Sequence, residues 1–139
     1  MDARLDHVVL WVADPLRSID FYERVIGLSG VRTGEFRAGK APFPSVRVSP
    51  DSIIDLMASA GALGVDEAAG VSGSAGHPVN HVCLAMGRAE FEALHTRLAD
   101  NGVDTSPMME RLFGARGIAP QSFYFADPDG NVIEARCYS

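Results

Sequence analysis

A short motif that occurs twice limits the folds that this chain can adopt. Residues 5–10 read LDHVVL and residues 79–84 read VNHVCL, so an apolar residue, Asp or Asn, His, Val, any residue and Leu recur in the same order. The two histidines, His7 and His81, are 74 residues apart in a chain of 139 residues. Because self-similarity at a fixed period indicates repeated structural units, we predict two copies of one module.

Each copy of the motif predicts a strand that is followed by a helix. The apolar, β-branched run from Leu5 to Ala13 predicts the first strand. Asp14 is a typical helix N-cap, and the proline after it suits the first helical position. In the second copy, an apolar stripe along residues 88–100 predicts the corresponding helix. Further short strands within 45–58 and 123–138 complete a β-α-β-β-β pattern in each copy, which predicts the α+β class.

The two copies are separated by a segment of small residues. Residues 59–78 read SAGALGVDEAAGVSGSAGHP, and segments rich in Gly, Ala and Ser typically form flexible linkers. We therefore predict a first βαβββ module at 1–58, a linker at 59–78 and a second βαβββ module at 79–139. Together they are expected to form one domain.

Charge and cysteine content argue against several kinds of partner. Lys and Arg number 12 against 18 Asp and Glu, and the resulting net charge of −6 argues against a nucleic-acid partner. No apolar run is long enough to span a bilayer, so no membrane association is expected. The N-terminal residues show no signal peptide and two cysteines make no disulfide framework, so a cytoplasmic protein is expected.

Alternation along the predicted strands separates an apolar face from a mixed, polar face. Successive strand residues point to opposite faces of a sheet, and one face of every predicted strand is almost purely apolar. The other face carries His7, Trp11, Arg47, Asp55, Met57, His81, Cys83, Tyr124, Glu134 and Arg136. Two half-sheets that curl into a cup would direct the histidines and carboxylates of this face into its interior.

A carboxylate in the middle of a strand, such as Glu134, needs a cationic partner if its face is buried. We hypothesise that this partner is a metal ion. Two imidazoles and one or two carboxylates suit Mn²⁺, Fe²⁺, Co²⁺, Ni²⁺ or Zn²⁺, so a divalent metal ion is the predicted cofactor. The predicted ligands are His7, Asp55, His81 and Glu134.

Two segments resemble the vicinal oxygen chelate superfamily, which includes glyoxalase I, extradiol dioxygenases, fosfomycin-resistance transferases and bleomycin-resistance proteins. LDHVVLWVADPLRSIDFYERVIGL, residues 5–28, is similar to the family's opening strand and helix. SFYFADPDGNVIEARCY, residues 122–138, is similar to its closing hairpin. The resemblance implies a glyoxalase-like fold, in which two βαβββ modules form an eight-stranded cup with helices on the outer face. It also implies a homodimer, with the cup closed within one chain or across the dimer.

By this resemblance, His7, His81 and Glu134 occupy the three commonest metal-ligand positions. Asp55 occupies a position where glyoxalase I has a fourth ligand, usually Glu. Because Asp is one methylene shorter, Asp55 is expected to bind the metal, to hydrogen-bond to another ligand, or to act as a general base through water. Tyr124 precedes Glu134 by ten residues, as in extradiol dioxygenases, and is expected either to donate a hydrogen bond to a metal-bound oxygen or only to line the cup.

Departures from the family motifs limit which substrates and reactions are expected. Trp11 and Ser59 stand where glyoxalase I typically has the Arg and Asn that hold glutathione, so a glutathione adduct is not the expected substrate. We predict a divalent-metal-dependent, glyoxalase-like isomerase or lyase that chelates vicinal oxygens of a small molecule. An extradiol-type Fe(II) dioxygenase and a non-catalytic drug- or metabolite-binding protein, similar to the bleomycin-resistance members, are the alternatives.

Roles beyond metal binding fall to two further groups of residues. The predicted catalytic residues are Asp55, Glu134 and Tyr124. The predicted substrate-binding residues are Trp11, Arg47 and Arg136. The two arginines would pair with a substrate carboxylate or phosphonate, or neutralise an acidic side chain at the rim. Residues 107–121 are apolar for a loop and predict a lid over the cup or a dimer contact.

Overall fold

The computed structural model describes residues 5, 7–70, 72–76, 79, 81–114 and 116–139. Asp6 and Asn80 of the repeated motif lie outside these ranges. Contacts within the chain divide it into two units, residues 1–78 (unit 1) and residues 79–139 (unit 2).

Unit 1 is built on a four-stranded sheet with the strand order β1-β4-β3-β2. Strands β1 and β4 are parallel, and the other neighbouring pairs are antiparallel. The elements are β1 (His7–Val12), α1 (Pro15–Phe21), β2 (Ser29–Val31), α2 (Thr33–Arg37), β3 (Ser45–Ser49), β4 (Ser52–Ala58) and α3 (Ala62–Ala69).

Unit 2 repeats this sheet with the order β5-β8-β7-β6. Its first and last strands, β5 and β8, are again parallel neighbours. The elements are β5 (Val82–Met86), α4 (Arg88–Asp100), β6 (Met109–Gly114), β7 (Gly117–Ala126) and β8 (Val132–Cys137). The shared strand order confirms the predicted repeat and the α+β fold of two βαβββ modules.

The parallel strand pair has the same register in both units. In each unit, the residue two positions after the motif histidine lies opposite a carboxylate: Val9 opposite Asp55, and Cys83 opposite Glu134. Residues two apart share a face of a sheet. Each motif histidine is therefore on the same face as the carboxylate of its unit.

The first helix begins as the sequence predicts. The Asp14 carboxylate accepts hydrogen bonds from the backbone N–H groups of Leu16 and Arg17, at 3.0 and 3.4 Å. After α1 the chain continues as a π-helical turn, Tyr22–Ile26. This turn ends at Gly27, which has φ 91°. This left-handed conformation favours glycine because it has no Cβ. No helix of the described ranges has the length and hydropathy of a membrane span.

The apolar strand face forms the core of each unit, as predicted. In unit 1 the buried strand residues of this face are Leu10, Val12, Val46, Ile54 and Leu56. In unit 2 they are Leu84, Ala119, Phe123, Phe125, Ile133, Ala135 and Cys137. The helices contribute further buried apolar residues: Ile19, Phe21, Tyr22, Val25, Ile26, Phe91, Leu94 and Leu98.

Part of the segment predicted to be a flexible linker is helical. Within 59–78, α3 places Ala62 and Asp66 on one buried face and ends at Gly70, with φ 71°. The small residues of this segment include several alanines, and Ala has the highest helix propensity of all residues. Composition alone did not separate the alanine-rich part from the glycine- and serine-rich part.

The loop predicted at 107–121 is instead largely a β-hairpin. Strand β6 pairs antiparallel with β7, and Met109 lies opposite Ser122. The charged residues Glu110 and Arg111 interrupt apolar alternation in β6. Because β6 is the outermost strand of its sheet, it pairs on one side only and needs no continuous apolar pattern.

Replacing Asp14 with Ala removes the acceptor for two helix N–H groups. We expect the free energy of unfolding to fall by about 1 kcal/mol, as for other N-cap losses. Urea denaturation followed by circular dichroism measures this. Asp14→Asn keeps a side-chain acceptor and should stay close to the original stability; an equal loss in both variants would contradict the capping role.

Candidate metal centre

Glu134 and Arg136 form a buried ion pair on one face of β8. Only 1% of Glu134 and 6% of Arg136 is exposed. Two N–H groups of Arg136 donate to the same carboxylate oxygen, Oε1, from Nε at 3.0 Å and from Nη2 at 2.6 Å. A buried carboxylate is costly unless it is paired and hydrogen-bonded. Arg136 is therefore the cationic partner that the burial of Glu134 requires.

The second oxygen of Glu134 faces the motif histidine. His81 Nε2 lies 3.3 Å from Glu134 Oε2. With metal–nitrogen and metal–oxygen bonds near 2.1 Å, two ligands of one ion are typically about 3 Å apart. The pair therefore fits two neighbouring positions in the coordination shell of a metal ion.

Tyr124 on β7 lies directly opposite Glu134 on the neighbouring strand β8. Its ring is 5.4 Å from the His81 ring, measured between centroids, and the two planes are nearly perpendicular. Burial raises the pKa of Tyr124, and the nearby charge of Glu134 raises that pKa further. Its phenol therefore stays protonated at neutral pH and keeps a hydrogen to donate.

Cys83 is the partner of Glu134 on β5. Although the residue as a whole is exposed, partial burial of its thiol raises the pKa to about 11, with a second contribution from the charge of Glu134. The thiolate is the nucleophilic and metal-binding form of cysteine. Cys83 is therefore a protonated, weakly reactive thiol at neutral pH.

Tyr138 holds Arg136 from the side opposite to Glu134. Its phenol oxygen accepts from Arg136 Nη1 at 3.4 Å and from the Arg116 backbone N–H at 3.2 Å. Burial alone would lower the pKa of Arg136, but its hydrogen bonds to Tyr138 and Glu134 outweigh burial and raise it. The backbone N–H of Arg116, followed by Arg136, lowers the pKa of Tyr138.

Unit 1 contains the related half-set of His7 and Asp55. Asp55 is buried, and its Oδ1 accepts a hydrogen bond of 2.6 Å from Ser45 Oγ. Ser45 lies opposite Asp55, just as Tyr124 lies opposite Glu134. The two halves thus share positions but differ in chemistry, because a neutral hydroxyl holds Asp55 whereas a guanidinium holds Glu134.

The remaining predicted contact residues, Trp11 and Arg47, lie on the predicted face of unit 1. Trp11 is half-buried opposite Met57. Arg47 is exposed, and its Nη1 donates to the backbone oxygen of Pro50 at 3.3 Å. Their contacts with a substrate stay predictions, as does that of Arg136.

Donors of both kinds that the sequence predicts are present, and the structure brings one imidazole and one carboxylate close together, those of His81 and Glu134. In the part of the chain that the structure describes, no group of three or more His, Cys, Asp and Glu side chains is placed to hold one metal ion. The chemistry of the closest pair, imidazole nitrogen beside carboxylate oxygen, fits a divalent metal. The complete set of His7, Asp55, His81 and Glu134 stays a prediction.

Comparison with known protein families identifies the superfamily of this chain. The model of the Glyoxalase/Bleomycin resistance protein/Dioxygenase superfamily matches residues 4–135. The chain belongs to this superfamily. The match includes all four predicted metal ligands, so both half-sets lie within the family domain.

Solved structures extend the likeness over the full chain. An integron cassette protein from V. cholerae is 28% identical, with a TM-score of 0.69 and coverage of 100% of this chain and 98% of that one. A protein from the mobile metagenome of V. Pseudocholerae is 26% identical, with a TM-score of 0.68 and coverage of 100% and 97%. A virulence protein from Salmonella typhimurium is 25% identical, with a TM-score of 0.69 and coverage of 100% and 99%. A search of curated proteins finds no match.

Sequence reasoning missed two residues that hold predicted site residues in this member of the glyoxalase superfamily. Ser45 is the hydrogen-bond donor to Asp55, and Tyr138 binds Arg136. Aligning the two repeats would have identified Ser45, because it occupies the position of Tyr124. No pattern in the sequence indicates Tyr138, which lies just beyond the last strand.

Iodoacetamide should report the raised pKa of Cys83. In the metal-free protein we expect the alkylation rate to rise about tenfold per pH unit and to keep rising above about pH 9, because only the thiolate reacts. Mass spectrometry measures the rate, and buried Cys137 should stay unmodified while the protein is folded. Glu134→Gln should shift the profile to lower pH, whereas a plateau at about pH 9 in the original protein would contradict the assignment.

Proposed function

We propose that the protein is a divalent-metal-dependent enzyme of the isomerase or lyase type that acts on vicinal oxygens of a small molecule. The observation that carries the proposal is the 3.3 Å approach of His81 Nε2 to Glu134 Oε2. Glu134 lies on β8, and His81 immediately precedes β5, the parallel neighbour of β8. Imidazole nitrogen and carboxylate oxygen both bind divalent metals.

The His7 and Asp55 half-set completes the proposed coordination shell. That both half-sets bind one ion, within one chain or across a dimer, is part of the proposal. All four ligands supply nitrogen or oxygen, which suits Mn²⁺, Fe²⁺, Co²⁺, Ni²⁺ and Zn²⁺.

When bound, the ion supplies a Lewis acid that stabilises negative charge on adjacent substrate oxygens. The protein's own contribution comes from the residues around it. Tyr124 donates a hydrogen bond to a substrate oxygen, since its raised pKa keeps the phenol protonated. Ser45 holds one oxygen of Asp55, and the other is left to bind the ion or to take up a proton.

The substrate is proposed not to be a glutathione adduct. Ser59, one of the two residues that depart from the glutathione-binding pattern, donates from Oγ to the backbone oxygen of Val12 at 3.2 Å. This contact links the end of β4 to β1 and gives Ser59 a structural role. The other, Trp11, offers an indole and no guanidinium for a carboxylate.

His81→Ala is the direct test of metal binding. Loss of a residue that hydrogen-bonds to a metal ligand typically weakens metal binding by about 10–100-fold. Because His81 is itself a proposed ligand, we expect its loss to weaken binding by about 100-fold or more. Isothermal titration with Zn²⁺ or Co²⁺ measures it, and the fold should persist because His81 is exposed. His95→Ala is the matched control, since His95 lies on α4 and packs against Phe123 of β7. Equal affinity in the original protein and His81→Ala would contradict the proposal.

Tyr124→Phe tests the proposed hydrogen bond without touching the ligands. Acetohydroxamate, which binds metals through two adjacent oxygens, serves as the probe for the Co²⁺-loaded protein. We expect the probe to bind about fivefold more weakly, the value of one hydrogen bond of about 1 kcal/mol, while Co²⁺ affinity is unchanged. Unchanged binding of the probe would show that Tyr124 only lines the site.

Oxygen consumption separates the proposal from the dioxygenase alternative. The Fe²⁺-loaded protein is supplied with catechol in an oxygen electrode. We expect no catechol-dependent oxygen uptake. Uptake that His81→Ala abolishes would replace the isomerase or lyase assignment with a dioxygenase.

A further inference from the structure

We propose that Arg136 is a built-in counter-ion of Glu134 that holds one carboxylate oxygen, leaves the other to the metal ion, and lowers the affinity of the site for metal. The inference rests on the proposed function. It assigns Arg136 a positioning role in place of the predicted contact with substrate.

The contact geometry divides the two oxygens of Glu134 between two partners. Arginine commonly pairs with a carboxylate through two parallel hydrogen bonds, one to each oxygen. Here the two N–H groups that Arg136 directs at Glu134 both bind Oε1, whereas Oε2 lies beside His81. Glu134 is therefore arranged to offer a metal one oxygen only.

The guanidinium is held in place from both sides. Its Nη1 donates to Tyr138 Oη, and that oxygen also accepts from the backbone N–H of Arg116. Three of the five N–H groups of Arg136 thus have partners within unit 2, and 6% of the residue is exposed. A side chain held in this way is preorganised to orient Glu134 and is poorly available to a substrate.

Charge sets the direction of the effect on metal affinity. With His81 neutral, as a metal-binding imidazole must be, Glu134 and Arg136 give this half-set no net charge. The unit 1 half-set keeps the charge of Asp55, because its partner is the neutral hydroxyl of Ser45. At an effective dielectric constant of about 20, a guanidinium that contacts one oxygen of a ligand lowers the affinity for a divalent ion by about 1,000-fold or more.

Two effects of removing Arg136 oppose each other, and their magnitudes decide between them. Loss of an orienting partner typically weakens metal binding by about 10–100-fold. Loss of the repulsion between Arg136 and the ion strengthens metal binding by a larger factor. Since Glu134 would also be left buried without its cation, a metal ion gains a further advantage over the metal-free state.

Co²⁺ titration of Arg136 variants, followed by the visible absorption of the bound ion, tests the inference. Arg136→Met and Arg136→Gln remove the charge and should bind Co²⁺ at least about tenfold more tightly than the original protein. Arg136→Lys keeps the charge and should not tighten binding. Arg88→Met is the matched control, because Arg88 contacts Gln121 and the Ser139 carbonyl in the same unit, and its affinity should not change.

The two neutral variants separate charge from hydrogen bonding. Glutamine still donates to Oε1 and methionine does not, so tighter binding in both supports the counter-ion role. Weaker binding in Arg136→Met with original affinity in Arg136→Gln would show that Arg136 only orients Glu134, and would overturn the inference. Unchanged affinity in all variants would also overturn it. Failure of the original protein and of every variant to bind Co²⁺ would overturn the proposed function as well.

Thermal unfolding of the metal-free protein gives a second readout. Arg136→Met leaves Glu134 as an unpaired buried carboxylate, so the Tm should fall by about 10 °C, and Co²⁺ should restore more stability than it adds to the original protein. Adding Glu134→Gln to Arg136→Met should recover part of the lost Tm. No recovery in the double variant would contradict the coupling between the two side chains.

Discussion

The buried pair of Glu134 and Arg136 is the constraint around which unit 2 is organised. Strand β8 lies between β5 and β7, so its backbone is hydrogen-bonded on both sides. Each of its side chains must therefore lie on one of the two faces of the sheet. One face is the apolar core. The other must therefore carry the charges, and breaking a buried pair by removing one partner typically costs about 3–5 kcal/mol. Arg136 compensates Glu134, and its orientation leaves the second carboxylate oxygen beside His81.

Parallel pairing explains why the same site chemistry is present in both units. In each βαβββ module the first and last strands are neighbours in the same register, which places a histidine at or just before the start of one strand on the same face as the carboxylate in the middle of the other. Duplication of the fold thus duplicates the half-set. The units then diverge in the residue that holds the carboxylate, Ser45 in one and Arg136 in the other, and with it in local charge.

Local patterns were sufficient to predict much of the fold. Asp14 and Pro15 start α1 as their preferences for the N-cap and the first helical position predict, α4 follows its apolar stripe, and the alternation in β4 and β8 separates core from polar face. Prediction failed where local composition was ambiguous. Alanine-rich residues formed α3 inside a segment that also contains the glycines of a linker, and β6 lacks alternation because an edge strand needs none.

The sequence by itself determined the repeat, the strand–helix order of each module and the face on which Glu134, Tyr124 and the motif histidines lie, because these follow from periodicities of two and 3.6 residues. Only the tertiary structure decided that Arg136, two residues along the same strand, turns back to bind Glu134, and that Tyr138 holds it there. Side chains two apart on a strand share a face, but whether they meet depends on rotamers that neighbouring strands select.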